Sequence, residues 1–139
     1  MPQGVSHDVV FEFVDLADSI VLSWTYESDR FRVRLDVSLL PDHPNAGRPK
    51  PGERASFHPG ELEFAEVSQI EGLLPQSAVQ SSKDPDGEPD YDTVHRLQTD
   101  GERRYYLEGE FGEVWIDADT PVIRLQDSEW TCAGRITGV

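Results

Sequence analysis

Hydrophobic and polar residues alternate with a period of two along much of this chain, most clearly from Ser19 to Leu40. Such alternation marks strands with one buried and one wet face. Ile20, Leu22, Trp24 and Tyr26 share one face of the first arm, and Phe31, Val33, Leu35, Val37 and Leu39 share one face of the second. The polar residues Glu27, Ser28, Asp29 and Arg30 separate the arms and predict a β-hairpin. A four-residue loop over these positions pairs Tyr26 with Phe31, Trp24 with Val33, Leu22 with Leu35 and Ile20 with Val37. All apolar residues then share a face. Thr25 meets Arg32 and Ser23 meets Arg34 on the other side. A Glu27-Ser28 loop keeps the same faces but lacks the Gly or Asn favoured in two-residue hairpin turns.

The remaining pattern is also strand-like. Val9–Val14 forms a short, largely buried strand, and Asp15–Asp18 is a polar break. Residues 41–54 contain four prolines and two glycines, which exclude helix and central strand and predict a loop. Ala55–His58 is a strand, Pro59-Gly60 a turn, and Glu61–Val67 a further strand with Leu62 and Phe64 inside and its glutamates outside. Ser68–Leu74 has the spacing of a single helical turn that Pro75 stops. Residues 75–90 are polar and rich in Ser, Asp and Pro, the composition of a disordered loop. Strand patterning returns at Tyr91. Asp100-Gly101 predicts a hairpin that pairs Leu97 with Arg104, His95 with Tyr106 and Val94 with Leu107. Gly109 and Gly112 predict a turn around Glu110-Phe111. Val114, Ile116 and Ala118 then share a face, and Val122–Leu125 follows the Thr120-Pro121 break. Residues 126–139 form a tail without periodicity, from which Trp130 can tuck back. About eight strands and little helix predict one all-β domain over residues 1–139, an antiparallel sandwich or partly open barrel.

Composition changes this picture in two respects. The 139 residues suit one domain and can bury a core without metal or disulfide staples. The charge is lopsided, with 12 basic residues against 27 acidic ones, a formal −15. Residues 1–60 carry six basic and nine acidic side chains, and residues 61–139 carry six and 18, so the acidity concentrates in the second part. Such a surface repels nucleic-acid phosphates and anionic membranes, and it favours a basic protein partner. Net charge also serves solubility, and salt adaptation is a further reading that predicts greater stability in concentrated salt. Cys132 is the single cysteine, so there is no intramolecular disulfide and no multi-cysteine zinc site. A reducing cytoplasm fits this. The N-terminus has no basic region followed by an apolar core, and no apolar run reaches membrane-spanning length.

Two pieces carry a family likeness. His7-Asp8 stands just before the first strand, and Leu107-Glu-Gly-Glu-Phe-Gly112 leads into Val114-Trp-Ile-Asp-Ala118 and the strand Val122–Leu125. Together they resemble the small all-β bacterial domains found among immunity proteins of polymorphic toxin systems and their uncharacterised relatives. The resemblance covers the β core and leaves out the two long loops and the tail. It implies a non-enzymatic binding domain, and no catalytic motif travels with it.

The candidate chemistry is sparse. His7, His43, His58 and His95 are too far apart for a metal signature, and His95 is expected to hydrogen-bond Tyr106. Asp84-Pro-Asp-Gly-Glu-Pro-Asp90 spaces carboxylates as a calcium loop does. The EF-hand pattern fails there, with Pro89 at its sixth position and His95 at its twelfth, so a solvated acidic loop is expected. Arg30, Arg32 and Arg34 form a cationic stripe outside the hairpin, suited to carboxylates on neighbouring strands. Glu108, Glu110, Glu113, Asp117 and Asp119 form a second acidic cluster, the expected site for a basic protein partner. Two carboxylates with split pKa values can also do acid and base work, so a hydrolase or lyase in a β-barrel is the enzymatic alternative. A dimerisation module pairing through an open sheet edge is the structural one. No cofactor is expected.

Overall fold

The computed structural model describes residues 7–40, 56–79, 82–83 and 89–136. Its strands are β1 (His7–Val10), β2 (Val14–Glu27), β3 (Arg30–Leu39), β4 (Ser56–Phe64), β5 (Gln69–Glu71), β6 (Ser82–Lys83), β7 (Pro89–Asp90), β8 (Arg96–Thr99), β9 (Arg104–Gly109), β10 (Gly112–Asp117), β11 (Val122–Leu125), β12 (Thr131–Ala133) and β13 (Arg135–Ile136). They form two antiparallel sheets that do not close into a barrel, a sandwich as the alternation predicts. One has the order β13-β1-β8-β9-β10-β5, the other β12-β11-β4-β3-β2, and β6 and β7 pair as a small ribbon. No described helix is long and apolar enough to cross a membrane.

The β2–β3 hairpin supplies much of the core. Phe31, Val33, Leu35, Val37 and Leu39 are all fully buried, as their shared face requires. Tyr26 pairs with Phe31 and Trp24 with Val33, as expected, but Glu27 also pairs with Arg30. The turn therefore tightens to Ser28-Asp29, with Ser28 at φ 56. Register shifts between Val21 and Ser23, so Val21 rather than Leu22 meets Leu35, and Ile20 meets Asp36. This bulge puts Val21 on the same inward face as Trp24, while Tyr26, near the end of β2, is exposed. The polar break at Asp15–Asp18 lies inside β2. There the buried Ser19 hydroxyl donates to Asp15 O (2.9 Å) and accepts from Ser38 N (2.9 Å), which replaces the interrupted ladder.

Several other expectations are corrected. Val9–Val14 is broken by a turn at Glu12 and Phe13, with Phe13 at φ 62. Pro59-Gly60 is no turn, because β4 runs straight through it against Asp36 and Leu35 of β3. Glu63 points outward but is buried. Ser68–Leu74 is not helical: β5 pairs with β10 and brings Ile70 opposite Ile116. The β8–β9 register is three residues from the expected one. Leu97 meets Leu107 and Gln98 meets Tyr106, around a four-residue connection rather than an Asp100-Gly101 turn. Thr99 explains the longer loop, since its buried hydroxyl donates to Arg104 O (2.9 Å) and accepts from Gly101 N (3.1 Å). The stretch from Gln126 to Ile136, a tail without periodicity in sequence, carries two strands: β12 joins one sheet and β13 the other. Residues 41–54, with His43, and residues 84–88 of the acidic loop lie outside the described residues.

Aromatic rings tie the sheets together. Phe64 of β4 stacks on Phe31 at 6.1 Å and meets Tyr105 of β9 edge-on at 5.7 Å. Trp24 of β2 meets Phe111, at the β9–β10 turn, edge-on at 5.7 Å. Such pairs contribute about 0.5–1.5 kcal/mol each beyond their buried area.

Candidate functional site

The alternation that buries Tyr105, Leu107, Val114 and Ile116 sends their neighbours to the outer face of the six-stranded sheet. Cross-strand register then decides which of these meet. Asp8, Gln98, Tyr106, Trp115 and Glu71 align as one row across β1, β8, β9, β10 and β5. On one side of that row lie Arg96, Glu108 and Glu113, in register. On the other lie Arg104, Asp117 and Gln69.

The centre of the face is aromatic. Tyr106 and Trp115 have ring centroids 4.9 Å apart with planes tilted by 45°. The Arg104 guanidinium sits 4.8 Å from the Trp115 centroid, with a nitrogen 3.8 Å from Asp117 Oδ1. This cation–π contact fixes the arginine over the indole. Tyr106 donates its hydroxyl to Glu108 Oε2 at 2.7 Å. Its burial, then that hydrogen bond and the charges of Glu108 and Glu113, push the phenol well above its ordinary range, so it stays a donor. Around the rings stand the carboxylates of Asp8, Glu71, Glu108, Glu113 and Asp117 against the guanidiniums of Arg96 and Arg104. Glu108 and Glu113 face each other directly across the β9–β10 ladder, a like-charge arrangement that costs stability.

The structure thus divides the five acidic residues singled out from sequence. Glu108, Glu113 and Asp117 share the face. Glu110 sits at the tip of the β9–β10 hairpin, where its carboxylate lies beside Asp92 and His95. Asp119 follows the end of β10 and pairs with Arg103, whose other nitrogen donates to Glu66 O at 2.7 Å. Sequence reasoning missed Tyr106, Trp115 and Arg104. The available signal was phase: Trp115 occupies a polar position between Val114 and Ile116, so its ring had to lie on the outer face.

His95 does not bond Tyr106, contrary to expectation. Gln98 faces Tyr106 across the ladder and donates its side-chain amide to Asp8 Oδ1 (3.0 Å), and the His95 amide donates to Glu108 O at 2.9 Å. Its ring Nε2 lies 3.8 Å from Asp92 Oδ2. His58 lies 2.9 Å from Gln126 O through Nε2.

The opposite sheet carries the arginine stripe. Glu63 of β4 is 3% exposed beneath Arg32 (2.8 Å), Arg30 (3.3 Å) and Arg124 (3.3 Å). Arg30 and Arg32 therefore do serve a neighbouring carboxylate. Burial works against ionisation of Glu63. The Arg32 hydrogen bond and the charges of Arg124, Arg32 and Arg30 outweigh it and hold the carboxyl below its ordinary range.

A cleft of about 440 Å³ opens where the β1–β8 ladder stops at Asp8, lined among others by Val10, Phe11, Leu16, Leu40 and His95. Two smaller cavities of about 360 and 270 Å³ lie beside Tyr105 and beside Arg124. None of these three is lined by Glu108, Glu110, Glu113, Asp117 or Asp119. In comparisons with known proteins, the chain matches no family model, no curated protein and no solved structure.

Proposed function

We propose that this protein is a binding domain that presents the outer face of its six-stranded sheet to a basic protein. The observation that carries the reading is the half-buried pair Trp115 and Arg104, backed by the nearly buried Tyr106, inside a ring of five carboxylates. Trp, Tyr and Arg are the side chains that dominate binding energy at protein interfaces. The carboxylates supply attraction and orientation for cationic side chains. A lysine or arginine of the partner placed between Glu108 and Glu113 relieves their mutual repulsion, so binding recovers a cost present in the free domain. An immunity-like role, in which an acidic inhibitor covers a cationic toxin surface, uses the same face. The hydrolase or lyase alternative needs a pocket at Glu108, Glu110, Glu113, Asp117 or Asp119, and none of these lines the three cavities described.

The test is calorimetric titration of the basic partner, once isolated, at about 0.05 and 0.3 M salt. Trp115→Ala is expected to weaken binding by about 10- to 100-fold, the range of an interface hot spot. Glu113→Lys is expected to weaken it and to flatten its salt dependence. Binding that ignores salt, or that neither variant alters, overturns the assignment.

A further inference from the structure

We propose that Asp92, His95 and Glu110 form a site for a divalent transition-metal ion of the zinc class. Their donor atoms, one ring nitrogen and two carboxylate oxygens, all lie within 4.8 Å of one another. His95 Nε2 and Asp92 Oδ2 are 3.8 Å apart. A tetrahedral ion with bonds of about 2.0–2.2 Å holds its donors about 3.3–3.6 Å apart. All three side chains are exposed, and closing to that spacing falls to their torsions.

The backbone beneath them is fixed from three directions. Asp92 O accepts from Val21 N of β2 (2.8 Å), and His95 N donates to Glu108 O of β9 (2.9 Å). Glu110 rides the two-residue turn between Gly109 and Gly112, held where Leu74 N donates to Phe111 O (2.8 Å). The donor chemistry selects the ion. Calcium takes six to eight oxygens and magnesium keeps most of its water, so neither gains from an imidazole. An imidazole with carboxylates suits zinc, nickel or copper. Three protein ligands leave one position of a tetrahedral ion open, and His95, though neither Asp92 nor Glu110, also lines the cleft of about 440 Å³. Closed structural zinc sites lack that opening, and catalytic zinc sites have it. The site involves Glu110 but none of the residues on the proposed binding face, and it stands or fails independently of that reading.

The test is calorimetric titration of the chelator-treated full chain with zinc chloride, followed by magnesium chloride. One saturable zinc site per chain is expected, with no comparable response to magnesium. His95→Ala and Glu110→Gln should each weaken zinc by more than the ~10–100-fold typical of losing an outer-shell partner. Glu129→Gln, a control at an exposed carboxylate elsewhere, should not. Because all three ligands are exposed, the variants should melt with the parent in the absence of metal. Absence of saturable zinc binding overturns the proposal. So does full affinity in His95→Ala, which places the ion on other carboxylates.

Discussion

Glu63 shows how one side chain can be placed correctly and still be misjudged. Its phase on β4 puts it on the outer face, and there it is 3% exposed because Arg30, Arg32 and Arg124 lie across it. A carboxylate so covered would tend to stay protonated, yet three guanidiniums reverse that tendency and depress its pKa. The sign of the pH effect follows. The unfolded chain binds this proton more readily than the folded one, so the stabilisation is present above the ordinary carboxylate range. It is lost as pH falls through the depressed folded value. Glu63→Gln should therefore lower stability by about 1–3 kcal/mol at pH 7, the scale of hydrogen bonds to charged groups. The gap to the parent should narrow at pH 3 in urea melts at both pH values. A gap that stays constant would mean that the carboxylate charge is not what the arginines stabilise.

At the scale of the element, β4 is the instructive case. Pro59 cannot donate to a ladder, and a Pro-Gly pair normally signals a turn. Here Gly60 is the last β4 residue paired with β11, opposite Leu125, and Pro59 accepts from Gln126 N at 2.8 Å. The missing amide would have served Gln126 O, and His58 Nε2 reaches that oxygen instead (2.9 Å). A carbonyl only accepts, so this contact needs the Nε2–H form. Gly60 completes the arrangement, since a Cβ there would overlap the Arg124 carbonyl oxygen. A double-mutant cycle tests the substitution of ring for backbone. His58→Ala should cost about 0.5–1.5 kcal/mol in the parent and close to nothing in Pro59→Ala, where residue 59 regains its amide. Equal costs in both backgrounds would show that the ring does not stand in for the amide.

At the scale of the whole molecule, the two sheets arrange their charges differently. The six-stranded sheet shows carboxylates around Trp115, and the five-stranded sheet shows Arg30, Arg32 and Arg124 gathered on Glu63. With a formal −15, repulsion among carboxylates opposes compactness, and salt screens it over about 10 Å at 0.1 M. The melting temperature should rise between about 0.05 and 0.5 M sodium chloride in a calorimetric scan. A fall would mean that attractive pairs such as those at Glu63 outweigh the general repulsion.

The sequence by itself determined the all-β class, the two faces of β3 and β10, the turn at Glu110-Phe111 and the uneven acidity. Each follows from period-two alternation, from glycine placement or from counting charges, which are local properties. Tertiary structure alone decided the bulge at Leu22, the passage of β4 through Pro59 and the pairing of β5 with β10. It also decided the register that sets Trp115 against Tyr106 and Glu108 against Glu113. Alternation is unchanged when a strand slides by two residues, and a bulge or a polar substitute for a ladder bond leaves no periodic trace. Which residues meet is therefore fixed by contacts with strands distant in sequence, and the candidate sites consist of such meetings.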